Sequence, residues 1–154
     1  MTGADELAGF ALLGRLTAAQ RELVASVARE VTFEAGTTIF REGQAASGCW
    51  LIRAGQVALE TWVPGREPVV VQTLGPGDVL GWSWLVPPHR WQFTARASGR
   101  VTAAELDTAR LRELADADPA LGYPLALGLM DAVAARLQAT RSRAMDLYGS
   151  PRGR

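Results

Sequence analysis

The sequence has no lysine; its 16 basic residues are all arginine, and 16 acidic residues balance them to a formal net charge of zero. A chain without net charge has no whole-molecule field to draw it to nucleic acid or to an anionic membrane, so neither is expected as a partner. There is one cysteine, Cys49. It excludes an intramolecular disulfide and points to a reducing compartment, the cytoplasm. Cys49 lies in a strand-like run before Trp50 and reads as a buried structural thiol rather than a sensor. There is one histidine, His89, next to Pro88 in what reads as an exposed loop. A metal-dependent barrel enzyme needs several histidines and a carboxylate at one metal, so no metal site and no catalytic residue is assigned. A G-x-S-x-G nucleophile elbow and a Walker loop are both missing. The N-terminus carries Asp5 and Glu6 where a secretory signal would be basic, and no stretch approaches membrane-spanning length.

What is present reads as one domain of 154 residues, long enough to bury about two thirds of its unfolded surface without a covalent staple. Residues 1–28 read as N-terminal helices. Leu7, Phe10 and Leu13 recur at helical spacing, and Thr17 with Gln20 forms a capping box ahead of Leu23, Val24 and Val27. Residues 29–107 change character. Runs such as "EVTFEAGTTIF", "CWLIRAGQVALETW" and "PVVVQTLGPGD" are short, rich in β-branched and aromatic residues, and broken by glycine, which indicates an all-β sandwich or barrel. Pro64-Gly65 and Gly75-Pro76-Gly77 mark turns, and Gly36, Gly43 and Gly55 are expected at positive φ. Residues 108–148 return to helical spacing. Asp107 caps a short helix holding Leu111 and Leu114; Asp118-Pro119 ends it and starts another. Pro124 then opens a long helix to Tyr148, stopped by Gly149. Residues 149–154 read as a disordered tail.

The long helix carries two apolar strips. Met130, Val133, Leu137, Thr140, Ala144 and Leu147 follow a 3, 4, 3, 4, 3 spacing, the pattern that keeps one seam against a partner helix. Leu125, Leu129 and Ala132 form an adjacent strip suited to packing on the chain's own barrel. Two strips imply two contacts, so a homodimer is expected, with Thr140 as a polar residue that sets register or touches something polar.

These residues also resemble a known family. "FEAGTTIFREGQAASGCWLIRAGQVAL" (Phe33 to Leu59), "LGPGDVLG" (Leu74 to Gly81) and "VAARLQATRSR" (Val133 to Arg143) resemble the cyclic-nucleotide-binding domains of the catabolite activator/Fnr family, with the glycines in the same order. The resemblance spans from about Leu7 to Leu147. It implies a fold that is mainly β with flanking helices: a cupin-like double-stranded β-helix (jelly-roll) barrel with N-terminal helices and a long C-terminal dimerisation helix. It also implies a ligand segment in which backbone N–H groups and an Arg hold a cyclic phosphate while a Glu holds the ribose hydroxyl; Arg suits that role because its planar fork grips phosphate in bidentate fashion.

The chain departs from this pattern where the ligand would sit. The segment reads Gly81-Trp82-Ser83-Trp84-Leu85, with Trp82 at the Glu position. In "PPHRWQFTARA", counting back from Ala95 and Ala97 puts Trp91 at the Arg position, with Arg90 one residue early and Gln92 at the Ser/Thr place. On the long helix Thr140 matches the Thr that touches the adenine edge, and Arg141 stands where the activator has Ser. Two readings stay open. Trp82, Trp84, Trp91 and Phe93 either fill a dead pocket or wall a stacking site for a different ligand. Arg90 is either a solvated loop residue or a phosphate contact, and Ser83 either caps a short helix or bonds a ligand.

The expectation is therefore a regulatory or sensor module, not an enzyme. It would bind a small ligand as a homodimer, with no resident cofactor beyond an optional cyclic nucleotide, and would act through a partner protein; the alternative is a ligand-free interaction domain with a filled pocket. After the long helix only Tyr148 to Arg154 follow, too few for a helix-turn-helix, so no DNA reader is expected.

Overall fold

The computed structural model describes residues 7–149; the expected tail beyond Gly149 lies outside the described residues, as do the side chains of Ala144 and Leu147 in the expected seam. A 3-10 turn at Ala11–Leu13 leads to helix α1 (Ala18–Ala25). Eight strands follow: β1 (Ala28–Phe33), β2 (Thr38–Phe40), β3 (Cys49–Ala54), β4 (Val57–Thr61), β5 (Val69–Leu74), β6 (Val79–Leu80), β7 (Thr94–Ala97) and β8 (Val101–Leu106). Helices α2 (Thr108–Ala117) and α3 (Pro119–Gly149) complete the described residues.

The strands form two four-stranded antiparallel sheets, ordered β1-β8-β3-β6 and β2-β7-β4-β5, stacked as a jelly-roll barrel. Strands β8, β3 and β6 of the first sheet carry buried residues on both faces, and strand alternation assigns each side chain its side. From β3, Trp50 and Ile52 enter the barrel interior while Cys49 and Leu51 face the helices. From β8, Val101 and Ala103 go inward while Ala104 and Leu106 go to the helices, and β6 likewise splits Leu80 from Val79. The outer cluster is completed by Leu12, Leu111, Leu121, Leu125 and Leu129. This double burial explains why the "CWLI" run is continuously apolar rather than alternating.

The capping box at Thr17 and Gln20 forms as expected, and Gln20 does a second job. Its Oε1 accepts from the Thr17 N–H, and its Nε2 donates to the Ala120 carbonyl at 2.9 Å. That carbonyl is the one Pro124 leaves without an i+4 partner, because proline has no N–H. The expected break at Pro124 is thus corrected: Pro119 to Gly149 is a single helix with Pro124 inside it. Gly128 is fixed by close approach, since a Cβ there would lie 1.9 Å from the Leu12 carbonyl oxygen.

The same helix corrects the reading of hydropathy. Pro119–Ser142 is long and apolar enough to cross a membrane by length and composition. Its hydropathy comes from dispersed Ala, Gly and Leu rather than one unbroken run. Leu121, Leu125 and Leu129 of this stretch are buried in the outer core.

Candidate functional site

Strand β6 delivers the chain to Gly81, which sits at φ 95°, in the left-handed region. A Cβ at this position would lie 3.0 Å from the Gly48 carbonyl oxygen and 3.0 Å from the Trp91 ring, so only glycine fits. A turn follows rather than a helix, and Ser83, although buried, therefore caps none. The Leu85 N–H donates to the Trp82 carbonyl at 3.0 Å, and the Trp84 indole N–H donates to the Gly81 carbonyl at 3.1 Å. The turn parts its side chains. Trp82 and Ser83 line a cavity at the barrel interior, whereas Trp84 and Leu85 line a second cavity beneath the helices.

The returning segment is pinned to residues 43–46. Gly43 N–H donates to the Trp91 carbonyl at 2.8 Å, Trp91 N–H to the Gln44 carbonyl at 2.9 Å, and Ala46 N–H to the His89 carbonyl at 2.8 Å. In extended chain, neighbouring side chains point opposite ways. Trp91 accordingly turns inward and is 4% exposed, while Arg90 is exposed and donates to the Gly43 carbonyl at 3.0 Å. Gln92, also exposed, donates to the Arg90 carbonyl at 3.0 Å. His89 is exposed in the loop, as expected.

Inside, Trp91 stacks on Phe40 with ring centroids 3.8 Å apart and planes 12° from parallel, and Trp50 stands 6.1 Å away. The Trp50 indole N–H donates to Glu105 Oε2 at 2.8 Å, so its one polar atom is satisfied. What remains of the barrel cavity measures about 20 Å³. That is room for about one water molecule, against roughly 300–1,000 Å³ for a ligand pocket.

One residue at this cavity was missed from the sequence. The Arg136 guanidinium of α3 lies 4.3 Å from the centroid of the Trp82 ring and donates to the Val79 carbonyl. Burial pushes its pKa down to about 10 while the charge of Asp78 pulls it up, so it stays cationic at neutral pH. The signal was there. The body-facing strip Leu125, Leu129, Ala132 continues by one helical step to Arg136, which the sequence reading assigned no role. By contrast Thr140 and Arg141, one turn further along, are exposed and line neither cavity. The structure thus brings Gly81, Trp82, Ser83, Trp91 and Gln92 together with Arg136, sends Trp84 and Leu85 to the other side, and leaves Arg90, Thr140 and Arg141 outside both. Among the described residues no group of three or more His, Cys, Asp or Glu could hold a metal ion.

Residues 30–118 match the family model of the cyclic nucleotide-binding domain. The chain belongs to the cyclic nucleotide-binding family. Among solved structures it is similar to a candidate cyclic nucleotide-binding protein from Geobacter metallireducens, at 31% identity and a TM-score of 0.79 over 89% of this chain and 99% of that one. It is also similar to the N-terminal domain of a transcriptional regulator from Streptomyces coelicolor, at 25% identity and a TM-score of 0.68 over 87% and 91% of the two chains. A cyclic nucleotide-binding domain from Methylobacillus flagellatus shares the fold, with a TM-score of 0.81 over 99% and 89% at 18% identity. Among curated proteins none is a significant match. Within the cyclic nucleotide-binding family this chain is a variant with rings where the resemblance places the ligand-holding Glu and Arg.

Proposed function

We propose that the chain is a cytoplasmic, non-catalytic regulatory module of the cyclic nucleotide-binding family whose barrel is closed to cyclic nucleotides by its own aromatic side chains. It works as a homodimer through α3 and passes its state to a partner protein. The observation that carries this reading is the cavity of about 20 Å³ behind the Trp91–Phe40 stack. A nucleotide needs at least an order of magnitude more room. No acidic side chain stands in the turn 81–85 for a ribose hydroxyl, and Arg90 is committed to the loop outside. Dimerisation is supported by the seam: Met130 is 66% and Leu137 60% exposed on α3, although the neighbouring strip of the same helix is buried. Large apolar side chains left in water along one strip suit a partner helix. The fully buried, lone Cys49 is compatible with a reducing compartment.

The test is calorimetry of the full chain with cAMP and with cGMP. The expected result is no saturable heat up to about 1 mM ligand, a binding energy weaker than roughly 4 kcal/mol. A submicromolar Kd for either would overturn the reading, and its loss on Arg136→Met would show that the helix arginine had taken over the phosphate.

A further inference from the structure

We infer that the chain binds a neutral, largely aromatic or aliphatic small molecule in a cavity outside the barrel, between the 82–85 turn and the helices. The inference rests on the reading of this chain as a regulatory module with a closed barrel, and names where its effector enters. The cavity measures about 450 Å³ and is walled mainly by Leu12, Trp84, Leu85, Leu111, Leu125 and Leu129, drawn from the 3-10 turn, the 82–85 turn, α2 and α3. Its size falls in the range of sites for compact ligands, whereas the barrel interior is filled.

The chemistry of the lining selects the class. The charges at the rim are Arg112 and Asp116, one helical turn apart on α2, and they answer each other at 3.6 Å. Because they neutralise each other, the rim offers no net charge to hold an ionic guest, and the apolar wall favours a molecule with no charge. Tyr123, 69% exposed beside the mouth, offers the one phenolic group among the lining residues, suited to a single hydroxyl or carbonyl on the guest.

The position gives such a guest leverage. Trp84 is tied by its indole N–H to the Gly81 carbonyl. Gly81 packs against the Trp91 ring, and Trp82, on the same turn, lies under Arg136 of α3. A molecule that displaces Trp84 therefore acts on the turn that the barrel aromatics and the long helix share. Leu125 and Leu129, which wall the cavity, lie on the same strip of α3 as Arg136, so both ends of the turn report to one helix.

The experiment titrates the full chain with 1-naphthol, a compact neutral aromatic, and with 1-naphthoate, its charged counterpart, by calorimetry and tryptophan fluorescence. Expected are one naphthol per chain, binding at least tenfold tighter than naphthoate, and intermolecular NOEs to Leu111 and Leu125 methyl groups. Ala126→Phe, which plugs the cavity from an exposed helix position, should weaken naphthol at least tenfold; the NOEs decide the case if that variant does not fold. Absence of saturable binding, preference for naphthoate, or NOEs elsewhere would overturn the inference. So would a fall in light-scattering mass on adding naphthol, because the cavity would then be covered by a second copy. The cyclic-nucleotide titration reads the closed barrel separately: naphthol failing while cyclic nucleotides also fail removes this site alone.

Discussion

Trp91→Ala is the perturbation that most directly probes the closed barrel. Trp91 is 4% exposed, stacked on Phe40 at 3.8 Å and flanked by Trp50 at 6.1 Å. Truncating a buried Trp to Ala costs ~3–5 kcal/mol, because the transferred ring area and the void it leaves both count. The ring pair adds ~0.5–1.5 kcal/mol beyond burial. The upper part of the range, ~4–5 kcal/mol, is expected, since the 43–46 segment pinned to residues 89–91 leaves little room for collapse. In a domain of this size each kcal/mol lowers Tm by roughly 2–4 °C, so a fall of ~10–15 °C is expected. Urea and thermal unfolding followed by near-UV circular dichroism measure it. Trp91→Phe should recover most of the loss, and free indole should raise the Tm of Trp91→Ala but not of the wild type, because only the variant has a ring-sized void. Trp82→Ala is the internal control. Trp82 is only half-buried, and its cation contact contributes ~0.5–2 kcal/mol, so it should cost clearly less. A Trp91→Ala loss below ~1 kcal/mol would refute the reasoning, since the ring would then be a movable wall rather than core.

Two further outcomes are expected. Leu137→Asp should convert a light-scattering dimer to a monomer with unchanged circular dichroism, because it places a charge in the middle of the exposed apolar strip of α3; a wild type that is already monomeric at tens of micromolar, on the order a functional dimer requires, refutes the seam. The Cys49 thiol should resist Ellman's reagent at pH 8 until the protein unfolds, because burial pushes its pKa up to about 12 despite a hydrogen bond from Trp84. The folded pKa lies above the unfolded one, so the contribution to stability is complete below the ordinary thiol pKa and is lost as pH rises toward about 12. Cys49→Ala should flatten that alkaline decline, and rapid native-state labelling would refute the burial.

Much of the fold was legible because its signals are local. The capping box at Thr17, the Asp107 cap and the positive-φ glycines Gly36, Gly43 and Gly55 each follow from short-range stereochemistry, and each stands as read. Pro124 misled because its missing hydrogen bond is compensated by Gln20, a hundred residues away in sequence, which no local rule sees. The aromatic cluster around the ligand segment was legible as a cluster but not as a partition. Trp82 and Trp84 both pack against the cluster beneath the helices, yet the turn that opens at Gly81 sets Trp82 at the barrel cavity and Trp84 at the second one, a difference made by tertiary packing. Arg136 was hidden by its residue type: arginine on a helix is usually solvated, and only the packing of α3 on β6 turns it inward.

The aromatic substitutions also change what the barrel can report. Where a polar pocket waits for an anion, part of the folded state's stability depends on ligand, and that linkage is what makes such a domain a switch. On the proposed reading the same space is closed by rings, and a cation is already present in Arg136, held by the Val79 carbonyl, the Trp82 face and the field of Asp78. A small molecule can shift an equilibrium only by its differential affinity for two states. With about 20 Å³ left in the barrel, no nucleotide-sized guest has a place to express such a difference without first expelling Trp91. That expulsion would cost about what Trp91→Ala costs, ~4–5 kcal/mol, or roughly a thousandfold in apparent affinity. On the proposed function, control would enter outside the barrel, where the structure has room or exposed surface, as beneath α2 and α3 or along the uncovered strip of the long helix.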